Sequence, residues 1–162
     1  MRRIALAFAL AFALIGPALL APSRANAQAG AAAYPQPKLP IVRLQAGIHV
    51  IRAELADTAR TREIGLMARE SLGPNEGMLF AFEGKAVHCF WMRNTPLPLS
   101  IAFLDDDGRI VNIAQMAPRS DDSHCPSRAV RFALEMERGW FARHGIEPGA
   151  RLVQPSVFPG QR

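Results

Sequence analysis

The sequence predicts a mainly β domain with two short helices, folded as a compact barrel or sandwich of mixed, largely antiparallel strands. Three observations predict it. Short runs of alternating apolar and polar residues recur along the chain, as in 49–55 and 129–136. An Asp107-Gly108 pair divides two further apolar runs. Only two stretches, 58–67 and 138–144, carry helical start and stop signals.

The chain opens with Met1-Arg2-Arg3, an apolar run over 4–15, Gly16-Pro17, and then Ser23-Arg24-Ala25-Asn26-Ala27. A basic start, an apolar middle and a small-x-small end predict a signal peptide cleaved after Ala27. A spanning helix needs roughly 20 apolar residues, and Gly16-Pro17 interrupts this run too early. Export to the periplasm or beyond follows as the expectation, with no membrane attachment once the leader is gone. Net charge then falls from +5 to +2 as Arg2, Arg3 and Arg24 leave, too little and too scattered to expect nucleic acid as a partner. Residues 28–40, rich in Ala, Pro and Gln, read as a flexible leader. One domain over 41–155 and a tail over 156–162 complete the expected organisation.

Within the domain, His49, Ile51, Ala53 and Leu55 alternate with Val50, Arg52 and Glu54, as in a half-buried strand. Asp57 is the expected cap of a helix running to about Met67. Gly65 costs that helix about 1 kcal/mol, so the helix frays there or packs closely on a strand. A loop over 71–77 leads to strands over 78–82 and 87–92. The second is apolar on both faces and reads as a central strand. It must end at Arg93-Asn94-Thr95-Pro96-Leu97-Pro98, because neither proline can donate to a ladder. Runs 99–104 and 109–115 form a hairpin around Asp105-Asp106-Asp107-Gly108. The acids do not make a calcium loop, since Ile110 stands where the sixth-position glycine belongs. A polar loop over 116–128 precedes a strand with Val130, Phe132, Leu134 and Met136 inward and Arg131, Ala133 and Glu135 outward. A helix over 138–144 capped by Gly145, a turn at Glu147-Pro148-Gly149 and a strand over 151–154 end the domain.

The segments Arg62-Glu63-Ile64-Gly65-Leu66-Met67-Ala68-Arg69, Gly77-Met78-Leu79-Phe80 and Phe90-Trp91-Met92-Arg93-Asn94-Thr95-Pro96-Leu97-Pro98-Leu99 resemble the family called domain of unknown function 192. Ala133-Leu134-Glu135 and Gly139-Trp140-Phe141 extend the resemblance over about Val50 to Val153. The resemblance implies a compact β-rich fold, commonly behind a signal peptide, and no known reaction. Ser100 and Ala150 depart from it, each standing where the family commonly has Asp.

Cys89 and Cys125 are the only cysteines of a chain expected to leave the cytoplasm, which predicts a disulfide. The alternative is a pair of buried thiols. A zinc set of His88, Cys89, His124 and Cys125 is disfavoured, because neighbours on a strand point to opposite faces; no metal or other cofactor is expected. Trp91, Arg93, Asn94 and Thr95, with Arg62 and Arg69 on one helix face, can form a cleft of forked donors beside an aromatic wall. Their structural alternative is pairing of the arginines with Glu63, Glu70 or Glu135 and a backbone bond from Asn94. Phe80, Phe90, Met78 and Trp91 read as core more than ligand box, and Glu135 as an ion-pair partner of Arg131 more than a general acid.

Three functions remain open, the first preferred. One is a binding or accessory module for a small anionic or peptide ligand at Trp91, Arg93, Asn94, Thr95, Arg62, Arg69 and Glu135. Another is a cell-envelope enzyme using Glu135 or His88 as acid–base, which a perturbed Glu135 in a cleft favours and a solvent-exposed one excludes. The third is a structural or partner-binding domain with an exposed apolar patch.

Overall fold

The structure is a computed structural model and describes residues 34–161. The expected signal peptide, and residues 28–33 of the leader, lie outside the described residues.

Seven strands form one mixed sheet: β1 (Ile41–Ala46), β2 (His49–Ala56), β3 (Glu76–Ala86), β4 (Leu99–Leu104), β5 (Ile110–Met116), β6 (Val130–Glu137) and β7 (Leu152–Val153). Their order is β5-β4-β6-β3-β2-β1-β7, and only β2 and β3 pair in parallel. The sheet curls into a half-barrel. Its two edge strands meet at one end, where Leu152 N donates to Gly108 O and Ile110 N to Ala150 O. Two short helices, α1 (Ala59–Ile64) and α2 (Trp140–Arg143), complete the predicted fold class.

The curled sheet is covered on both faces. Inside the curl lie Leu44, Ile51, Leu79, Phe132, Leu134 and Met136, closed by Trp140 and Phe158. The predicted inward set of β6 therefore lines the inner core, apart from Val130. On the opposite face Met78, Phe80, Ile101, Phe103 and Ala133 are capped by Leu66, Met92 and Leu97 from the connections. This second layer separates observation from expectation: Glu135, predicted outward and solvated, lies beneath it and is 5 % exposed.

Three elements differ from the sequence reading. The helix is capped by Thr58, whose side chain accepts from Thr61 N, and it ends at Gly65, six residues long. Gly65 takes a φ of +51°, and a Cβ there would press on the Phe80 ring at 3.2 Å, so fraying and close packing coincide. Arg62 and Arg69 consequently do not share a helix face. Residues 78–82 are the middle of one long strand, β3, which runs on to Ala86. Residues 87–92 are no central strand; among them only Phe90 bridges, to His124. The reason is geometric: β6 already has β3 on one side and β4 on the other. The segment instead crosses the outer face of the sheet.

Packing also extends beyond the expected limits of the domain. Gln36 is buried and donates to Thr61 O and Gly65 O, while Phe158 stacks edge-on against Phe132 at 5.0 Å.

Gly77 of β3 pairs with Met136 of β6 and has no room for a side chain. A Cβ there would collide with the Glu135 carbonyl oxygen and Met136 Sδ. Gly77→Ala is expected to cost about 3 kcal/mol, in the range of overpacked cores. Gly84→Ala, where a Cβ meets nothing within 4 Å, is expected to stay within about 0.5 kcal/mol of the parent. Urea unfolding of the two variants checks the contrast.

Candidate functional site

A cavity of about 570 Å³ lies between the outer face of the sheet and its cover. Its size is in the range of small-molecule sites. The chain builds it from three directions. β3 and β6 supply the floor with Phe80, Phe82 and Glu135; α1 and the turn after it supply Arg62, Glu63 and Met67; the segment after β3 supplies His88, Phe90, Trp91 and Thr95. That last segment is held from outside. Phe90 and His124 exchange backbone hydrogen bonds of 2.8 Å, Met92 N donates to Ser120 O, and Cys89 is disulfide-bonded to Cys125 as predicted. Oxidised against each other, these cysteines cannot serve as thiolate ligands. Among the described residues no group of three or more His, Cys, Asp or Glu is placed to hold a metal ion.

Glu135 sits in register between Met78 of β3 and Ile101 of β4. On the same sheet face the next row is Phe80, Ala133 and Phe103. Its carboxyl therefore stands among apolar side chains and makes no hydrogen bond or ion pair with any described residue. Arg131, the expected partner, turns away: its Nε donates to Phe82 O and its guanidinium lies over Phe132. Burial penalises the charged form and pushes the Glu135 carboxyl from 4.5 up to about 8. The side chain is buried, but its carboxyl opens onto the cavity and has no partner among the described residues.

Four of the predicted site residues, Arg62, Trp91, Thr95 and Glu135, come together around this cavity. Arg93 and Asn94 do not; they line a shallower neighbouring recess with Arg119 and Glu70. Arg93 donates from Nε to Asp121 at 2.7 Å and covers the outer face of Trp91 at 5.1 Å. Asn94 donates from Nδ2 to Met67 Sδ, and its carbonyl accepts from Ala68 N. Arg69 lies elsewhere, bonded at 3.0 Å to Glu54. Arg62 directs one terminal nitrogen to Asp57 O and Ala81 O and stacks on Phe82.

The sequence reading missed Glu54, a carboxylate 3 % exposed on β2 that gathers Arg69, Lys38 and the Leu39 amide. Trp91, named for the candidate site but weighed as core more than ligand box, is 42 % exposed and lines the cavity. Phe80 and Phe90 serve twice, packing on the core and walling the cavity. Ser100 and Ala150 lie away from it. Ser100 is buried and accepts from Gly139 N, and the Ala150 carbonyl helps close the sheet.

A family described as an uncharacterized ACR, DUF192, matches residues 41–154. Among solved structures the chain is similar to a protein of unknown function from Novosphingobium aromaticivorans DSM 12444, with 38% identity and a TM-score of 0.70. That match covers 76% of this chain and 91% of the other. It is also similar to a "putative transcription regulator" from Sinorhizobium meliloti 1021, with 37% identity, a TM-score of 0.66, and 70% and 91% covered. No curated protein matches the chain.

Proposed function

The chain belongs to the DUF192 family, and from that premise we propose that it is an exported small-molecule-binding domain whose ligand contacts Glu135. The observation that carries this reading is the Glu135 carboxyl, without a partner among the described residues and open to a cavity of ligand size. A ligand group that bonds to it gains a polar contact that the protein itself does not supply. Trp91 at the mouth and Phe80 and Phe90 in the wall offer the apolar contact that small-ligand sites use for affinity. Export is supported by the exposed Cys89–Cys125 bridge, which suits an oxidising compartment, and by the leader sequence. The same bridge speaks against the regulatory role printed for the Sinorhizobium relative, since transcription takes place in a reducing compartment.

The test is a thermal-shift screen of small metabolites against the parent and Ala59→Trp. Ala59 lines the cavity and is exposed on α1, so an indole there blocks the mouth without entering the core. Compounds that raise Tm by several degrees in the parent and not in the blocked variant support the reading. Hits that stabilise both alike, or a screen without hits, overturn it.

A second reading rests on the same residue. A carboxyl raised to about 8 holds its proton at neutral pH and can deliver it to a bound substrate, the condition set above for an enzyme. In that case Glu135→Gln retains a screening hit but abolishes its conversion, followed by NMR of the compound.

A further inference from the structure

We propose that the ligand of this cavity is an organic cation, a primary ammonium group on an apolar body, seated against Glu135 and Thr95. The inference rests on the cavity being the ligand site and adds the charge of what enters it.

The choice turns on which polar atoms stand ready. At the floor, the Glu135 carboxyl has no partner, and Thr95, buried on the opposite wall, has a hydroxyl that makes no hydrogen bond with a described residue. Once ionised, the Glu135 carboxylate accepts only, and a hydroxyl can accept. An ammonium brings three donors and no acceptor, so its needs match what the floor supplies. Its remaining face meets the π-systems of Phe80 and Phe90, set edge to face at 5.0 Å. Such rings attract a desolvated cation.

An anion finds less. The three arginines that could receive it are engaged inside the protein: Arg69 with Glu54, Arg93 with Asp121, and Arg62 with two backbone carbonyls and the Phe82 ring. Arg62 contacts Ala81, three residues along β3 from the Met78 that pairs with Glu135. At about 3.3 Å per residue, its contact lies about 10 Å along β3 from Met78, the residue in register with Glu135. An anion at the floor would find a single donor there, the proton of the Glu135 carboxyl, and would face a second carboxyl group, Glu63, on the cavity wall.

The charged groups around Glu135 are few. Arg62 and Glu63 come from α1, His88 comes from the segment after β3, and Glu54 lies two strands away, held by Arg69 and Lys38. The neighbours from β3, β4 and the 92–97 turn, Met78, Phe80, Ile101, Met92 and Leu97, carry no charge. An arriving ammonium therefore ionises Glu135 and releases its proton to solvent.

Three probes with one apolar body and different heads test this by calorimetry at pH 7: phenethylamine, 2-phenylethanol and phenylacetate. The ammonium is expected to bind at least ten-fold tighter than the alcohol. Runs in phosphate and in Tris should give close to one proton released per ligand. In Glu135→Gln, with its Tm checked, the ten-fold preference should vanish. A further arm with Nα-acetyl-lysine N-methylamide separates the sources, because tighter binding than phenethylamine identifies a lysine side chain of a peptide and weaker binding a free amine. Equal or tighter binding of the alcohol or the phenylacetate overturns the cation while leaving the cavity as the ligand site. Failure of all four probes also overturns it, and the blocked-mouth screen then decides the cavity reading separately.

Discussion

Between pH 4.5 and 8 the parent protein is expected to lose on the order of 4 kcal/mol of stability relative to Glu135→Gln, because burial holds the Glu135 carboxyl up at about 8. In the unfolded chain this carboxyl gives up its proton near its ordinary 4.5. In the fold it keeps the proton until about 8. Across that window the native state binds more protons than the unfolded state, so each step upward in pH favours unfolding. Below 4.5 both states are protonated and the slope vanishes; above 8 both are ionised and the loss is complete. The direction is opposite to that of a carboxylate stabilised by an ion pair, whose contribution is lost towards acid. Other acids titrate in the same range, so the quantity to read is the difference between parent and Glu135→Gln in urea unfolding at pH 5, 6, 7 and 8. Gln keeps the shape and the hydrogen-bonding capacity but not the proton, and its curve should rise relative to the parent's as pH increases. Parallel curves would place Glu135 in contact with water or with a cation the fold supplies, and would remove the premise of a desolvated site.

The same residue shows where sequence reading succeeds and where it stops. Alternation located β6, and three of the four residues it turned inward lie in the inner core; the Asp-Gly turn located the β4–β5 hairpin, where Asp105 Oδ1 accepts from Asp107 N and Arg109 N. These signals are local. The burial of Glu135 is not, because it depends on Leu66, Met92 and Leu97 reaching over the outer face of the sheet from connections far off in sequence. A period-2 pattern assigns a charged residue to water unless a second layer is known, and nothing in the run over 129–136 announces one. Glu54 was misplaced for the same reason.

The segment 87–92 failed differently. Apolar residues on both faces signal a central strand, and they equally signal a cavity wall that packs inward on one side and meets a ligand space on the other. Phe90 does this, held by a single bridge to His124. Of the candidate site, sequence reading named Arg62, Trp91, Thr95 and Glu135, but grouped them with Arg69, on the condition that the helix survives Gly65, and with Arg93 and Asn94, because they follow Trp91 in the chain. One left-handed glycine redirects Arg69 to Glu54 and leaves the floor to an acid.

Removing the disulfide is expected to cost about 4 kcal/mol, the loop-closure entropy of a 36-residue separation in the unfolded chain. Cys89→Ser, Cys125→Ser and the double variant should lose nearly the same amount, because the first substitution already breaks the single bond. Urea unfolding of the three variants at one pH checks both the size and the non-additivity. The bridge sits where it matters for the cavity. It ties the wall bearing His88, Phe90 and Trp91 to the loop that carries His124, and what remains without it is the Phe90–His124 backbone pair, the Met92–Ser120 and Arg119–Thr95 backbone bonds and the exposed Arg93–Asp121 pair. Those bonds lie at the surface and compete with water, so each contributes only about 1 kcal/mol. In the variants the wall should open more readily than the sheet, seen as faster amide exchange over 88–92 than over β6. A loss confined to global stability, with 88–92 as protected as before, would mean that the covering layer is held by Leu66, Met92 and Leu97 alone. The bridge would then act on the unfolded chain and leave the shape of the cavity unchanged.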